Sequence, residues 1–133
     1  MKSLVYTTNA TATAVAPGSA VPVGNITRKV GCDYNVGSNS IFINRAGYYI
    51  VDFAATITAG AAGNIKFDLQ QNGQTIASST ESIATANTQY HSTAIPAVVR
   101  VFCCAGATLS VVVDGTSTAT PTIQSSEIRI VRD

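Results

Sequence analysis

Residues 45–53 read RAGYYIVDF. An Ala-Gly step leads into aromatic and β-branched residues, which favour strands because they pack well on a pleated, half-buried surface. Successive side chains of a strand point to opposite faces. Tyr49, Val51 and Phe53 therefore share one face, and Tyr48, Ile50 and Asp52 share the other. Both faces carry large apolar groups. The first is expected to meet the domain's own core. Tyr48 and Ile50 are expected to lie against another subunit, with Asp52 near the wet edge of that contact.

Working outward, turn-forming residues interrupt the chain at PGSAVPVGN (17–25), NVGSNS (35–40), TAGAAGN (58–64), NG (72–73), CAGA (104–107) and DGTSTATP (114–121). The intervening segments predict ten strands, at 3–8, 11–16, 28–34, 41–44, 48–58, 65–71, 74–80, 90–103, 108–114 and 122–131. In 65–71, Ile65, Phe67 and Leu69 alternate with Lys66, Asp68 and Gln70, predicting one buried and one wet face. Asn72-Gly73 supplies the two positive-φ positions of a type I′ hairpin turn. In 95–103, Ile95, Ala97, Val99, Val101 and Cys103 share a face, while Val98, Arg100 and Phe102 point away. Pro96 has no N–H to give to a ladder, which predicts an edge or a bulge there. Ala, Thr, Ser, Val, Ile and Gly dominate. Thr, Val and Ile are strand formers, while Leu, Glu and Lys, the usual helix fillers, are scarce. The fold class is all-β, an antiparallel sandwich or barrel.

The length of 133 residues fits one domain spanning 1–133. Charged residues make up 11% of the chain and the net charge is +1. That balance excludes nucleic acid as the main partner, because phosphate binding needs a dense cationic field. A soluble monomer usually carries more surface charge, so part of this surface is expected to be covered by another copy. No run reaches the length of a membrane-spanning helix. Met1-Lys2-Ser3 runs into LVYTTNATATAVA, which lacks a continuous apolar segment of the signal-peptide kind. Synthesis in a bacterial cytoplasm is the expectation. The three cysteines do not form a disulfide framework.

The candidates for chemistry are few. His91 is the single histidine, and no Gly-x-Ser-x-Gly accompanies it, so it is read as a surface or interface residue rather than a catalyst. Cys103 and Cys104 are adjacent and point to opposite faces; Cys103 is read as core, Cys104 and Cys32 as turn or interface residues. Asp33, Asp52, Asp68 and Asp114 are the carboxylates considered for calcium, but they form no calcium loop. Asp114-Gly115 reads as a plain turn. No catalytic residue, cofactor or metal is expected. Tyr6, Tyr34, Tyr48 and Tyr90 are read as exposed tyrosines available for protein contacts.

IFINRAGYYIVDFAATI (41–57), KFDLQQNGQTI (66–76), AVVRVFCCAGATLSVVV (97–113) and SSEIRIVRD (125–133) together resemble the jelly rolls of the tumour necrosis factor and complement globular head type. The resemblance covers roughly 28–133. It departs from the family's frequent Gly-Asp turn at Gly106-Ala107. It implies a ten-stranded jelly roll that assembles as a homotrimer, with residues 1–27 as an outer strand or anchoring arm. Tyr48, Ile50, Tyr90, Val98 and Phe102 are the expected trimer contacts. The bacterial and phage members it is similar to imply a structural protein of a virion surface, a head fibre or capsid decoration whose partners are other virion proteins. The alternative is a tip domain binding a host receptor or glycan, with Asn64, Asn87, Tyr90 and His91 as candidate contacts in loops 58–64 and 81–90.

Overall fold

The computed structural model describes residues 3–84, 87–102 and 105–133, with the backbone alone for 87–89. Among them are eleven strands: β1 (Leu4–Asn9), β2 (Thr13–Ala14), β3 (Asn25–Val30), β4 (Tyr34–Val36), β5 (Ile41–Ile43), β6 (Gly47–Ala59), β7 (Gly63–Gln71), β8 (Gln74–Ile83), β9 (Asn87–Val101), β10 (Ala107–Val113) and β11 (Pro121–Arg132). One sheet runs β3-β1-β11-β6-β9, with β2 also on β11; the other runs β4-β5-β10-β7-β8. All pairings are antiparallel. From β5 to β6 to β7, and from β8 through β9 and β10 to β11, the chain crosses between the sheets. That crossing makes the sandwich a jelly roll.

The alternation in residues 45–53 fixes the centre of the first sheet. β6 is laddered on both sides, to β11 and β9, and its residues Tyr49, Val51, Phe53 and Ile57 are buried. Across the sandwich the Tyr49 ring meets Tyr34 edge-on at 6.1 Å, and Phe53 lies 6.1 Å from Phe67. Burying each such side chain stabilises the fold by about 1.5–3 kcal/mol. Gly47, at φ +148°, opens β6 where the Arg132 side chain crosses; a Cβ there would sit 3.1 Å from Arg132 Nε.

Some expectations need correcting. The single strand predicted at 28–34 is two strands in different sheets. Gly31, at φ +90°, breaks the extended path and the chain turns across the sandwich. The strand predicted at 11–16 is a two-residue pairing, after which Val15 enters the core. Residues 3–24 are woven into the sandwich: β1 lies between β3 and β11, and Val5, Val15, Val21 and Val23 are buried. Gly18 N–H donates to Val113 O at 2.6 Å and Val21 N–H to Val111 O at 2.7 Å, tying this segment to β10. The outermost strand is β3, exposed along its whole length. Pro96 lies on β9, an edge strand laddered to β6 alone.

The face of β7 expected to be wet is wet at Lys66 but not at Asp68, which is 2% exposed. Asp68 is covered because its carboxylate has partners on three segments: Ser78 Oγ of β8 at 2.8 Å, Lys66 Nζ at 3.9 Å, and the carboxyl of Asp114 beyond β10.

Candidate functional site

The outward face of the first sheet holds the feature with the clearest functional meaning. β6 turns Tyr48 and Ile50 outward while Tyr49 and Val51 go in. The neighbouring β9 does the same with Val98 and Arg100, and Phe102, just past its end, is exposed beside them. The register sets Ile50 opposite Val98 and Tyr48 opposite Arg100. Their exposures are 53% for Tyr48, 44% for Ile50, 70% for Val98 and 62% for Phe102. Four large apolar side chains thus form one patch at the start of β6 and the end of β9. Single exposed apolar residues are ordinary, but a contiguous patch marks a contact surface.

One cation sits inside this patch. The Arg100 guanidinium carbon lies 4.5 Å from the Phe102 ring centre and 5.7 Å from that of Tyr48. A planar guanidinium stacks well on aromatic faces, so the two rings hold Arg100 in place. Further along, Asp52 accepts from Arg129 Nη2 at 2.6 Å across the β6–β11 register. Glu127 accepts from the Tyr6 hydroxyl at 2.5 Å, which raises the Tyr6 pKa. Between these polar pairs the face is hollow. One open depression of about 430 Å³ is lined by Leu4, Tyr6, Arg28, Asp52, Ala54, Glu127 and Arg129. Another, of about 510 Å³, lies over Ala54, Thr56, Ser92, Ala94 and Ser125, where short side chains leave the sheet low.

The remaining candidates do not converge. Tyr90 is 70% exposed on the outward side of β9, whereas His91 points toward the sandwich interior, half-buried, with Nε2 unpartnered among the described residues. Asn64 lies on β7 of the other sheet, where its backbone exchanges hydrogen bonds with Thr118. The backbone of Asn87 pairs with Ala59 at the start of β9. Tyr34, expected to be exposed, is fully buried, with its hydroxyl 3.0 Å from Ser3 Oγ; packing against Tyr49 draws it into the core. Tyr6 is half-buried. Cys32 is exposed in the turn between β3 and β4, while Cys103 and Cys104 lie outside the described residues, as does part of the 81–90 segment.

The carboxylates also separate. Asp33 is nearly buried beside the β4–β5 end, and Asp52 is engaged by Arg129. Asp68 and Asp114 do meet, which spacing alone does not reveal, because they are brought together by the β7–β10 pairing. Lys66 Nζ is within 3.9 Å and 3.8 Å of them. Asp114 also accepts from the Thr116 N–H and hydroxyl, so its turn is held by its own side chain. Among the described residues no group of three or more His, Cys, Asp or Glu is placed to hold a metal ion.

The sheet orders and the inter-sheet crossings define the tumour necrosis factor-like jelly roll. Murine APRIL has the same fold at a TM-score of 0.77 and 13% identity, with both chains covered in full. Eiger, a tumour necrosis factor from S. frugiperda, gives 0.77 at 12% identity over 100% of this chain and 92% of that one. The globular domain of the zebrafish complement 1qA protein gives 0.71 at 9% identity over 99% and 96%. No curated protein matches the chain. Within this fold class the chain belongs to the BclA C-terminal domain family, whose model matches residues 4–132.

Proposed function

We propose that this chain is a non-enzymatic structural module that trimerises through the outward face of β6 and β9 and is displayed on the outer layer of a bacterial particle. The exposed patch of Tyr48, Ile50, Val98 and Phe102 carries this reading. Removing such a patch from water stabilises an assembly by roughly 25 cal/mol per Å² of apolar surface, before the costs of association. Tyr90 extends the contact along β9. The family, one of spore-surface domains, supports a spore outer layer as the particle. A virion surface with capsid partners is the second placement, and it rests on the sequence resemblance alone. A glycan-binding tip has less support, since Tyr90 and His91 face opposite sides of β9 and Asn64 lies on the other sheet.

Sedimentation equilibrium tests the assembly. A species about three times the 13.7 kDa chain mass is expected at micromolar concentration; a monodisperse monomer refutes the reading. Antibody labelling of intact spores and of purified phage particles from the source strain separates the two placements.

A further inference from the structure

The patch has a charge arrangement that an isolated domain does not use. Arg100 stands on the β9 side of Tyr48, held against the Tyr48 and Phe102 rings, and among the described residues no carboxylate is within ion-pair distance of it. On the other side of Tyr48 lies Asp133, whose N–H donates to Tyr48 O at 3.0 Å as the chain leaves β11. Asp133 is exposed and makes no ion pair among the described residues. The other carboxylates of this face are engaged, Asp52 by Arg129 and Glu127 by Tyr6. Among the described residues, one unpaired cation and one unpaired anion therefore flank the same exposed aromatic residue.

Burial of the patch makes this arrangement consequential. A guanidinium covered by another molecule without a counter-charge is strongly unfavourable, so whatever covers the patch must bring a negative group to Arg100. In a closed ring of identical chains each interface is heterologous and joins two different surface patches, which are two flanks of one face where that face surrounds the symmetry axis. A positive flank and a negative flank on either side of Tyr48 are complementary in that geometry. We infer that Arg100 of one copy pairs with Asp133 of the next, so that a three-fold ring closes with one such ion pair at every interface. This inference rests on the trimer reading above. It adds that the pair fixes the direction in which copies join, with the apolar patch supplying most of the affinity and the ion pair the register.

Charge reversal tests it. Arg100→Glu and Asp133→Arg should each weaken assembly by about tenfold or more, and the double variant should recover most of that loss, because reversing both charges restores the pair. Sedimentation across a dilution series reads the association, and circular dichroism of each variant checks that the sandwich has formed. A double variant no better than Arg100→Glu overturns the pairing and leaves the trimer standing. Neutral behaviour of Asp133→Arg also overturns it, since Arg100 then takes its counter-charge elsewhere. A monomeric wild-type chain overturns the trimer reading itself, and this inference with it.

Discussion

Asp68 shows how far a single residue departs from its pattern when distant segments meet over it. Desolvation, then the hydrogen bond to Asp114, push its carboxyl above the usual value. The hydrogen bond from Asp68, then those from Thr116, hold Asp114 well below it. Of the two carboxyls, Asp68 is therefore the one that takes up a proton first as pH falls. A group whose folded-state pKa is raised stabilises the fold when protonated. Its contribution is complete below about pH 3.9 and is lost as pH rises through its folded value. Asp114 has the opposite sign: its contribution is present above about pH 3.9 and is lost as pH falls through its lowered value. An Asp68→Asn change keeps an acceptor for Ser78 and gives Asp114 a permanent donor. Thermal melts should show the variant more stable than wild type at neutral and mildly alkaline pH, with the gap closing toward about pH 4. A variant less stable than wild type at neutral pH would show that Asp68 works there as an anion. Gly106 is a second residue-scale case. At φ +67° it lies under the Phe42 ring, and a Cβ would sit 2.7 Å from Ile43 O. Gly106→Ala should cost about 1–3 kcal/mol, read from the urea midpoint.

Among the elements, the β7–β8 hairpin is where local sequence and structure agree most closely. Asn72 at φ 53° and Gly73 at φ 83° adopt the expected left-handed pair. Asn72 also docks the turn on β10, accepting from Thr108 N–H through Oδ1 and donating its own N–H to Thr108 O, both at 2.9 Å. Asn72→Ala loses the side-chain bond and places a less tolerant residue in a left-handed conformation. A loss of about 1–2 kcal/mol is expected, or roughly 3–8 °C in melting temperature. An unchanged melt would mean that the turn is set by the strands and not by its own residues. β6 and the inward row of β9 were legible because burial there alternates with a period of two, and β7 was legible by the same rule except at Asp68. The break between β3 and β4 was not, since Lys29-Val30-Gly31-Cys32 has a strand-like composition and only the φ of Gly31 reveals the turn. Tyr34 and Asp68 were misread for one reason: each is buried by a residue far along the chain, Tyr49 and Asp114 respectively, which no local pattern encodes. The outward row of Tyr48, Ile50, Val98 and Phe102 was legible as apolar. The stacking of Arg100 between its rings required the β6–β9 register.

At the scale of the whole molecule, two sides of one sheet have separable tasks. The inward residues of β6 and β9 build the core, while the outward residues contribute nothing to it, because the strand period sends them away. Val98→Asp with Phe102→Asp should therefore disrupt assembly and spare the fold. Each lost apolar contact removes about 1.5–3 kcal/mol of association free energy, so the trimer should weaken by about 10²- to 10⁴-fold. Far-ultraviolet circular dichroism should remain that of the β-sandwich. Melting temperature supplies the sharper reading through mass action. A wild-type trimer that unfolds with dissociation melts higher as protein concentration rises, while the double variant melts at one temperature throughout a dilution series. If the variant keeps a concentration-dependent melt like that of wild type, the patch is not the assembly surface. If the variant fails to fold, the outward row takes part in the core after all, against the exposures that define it.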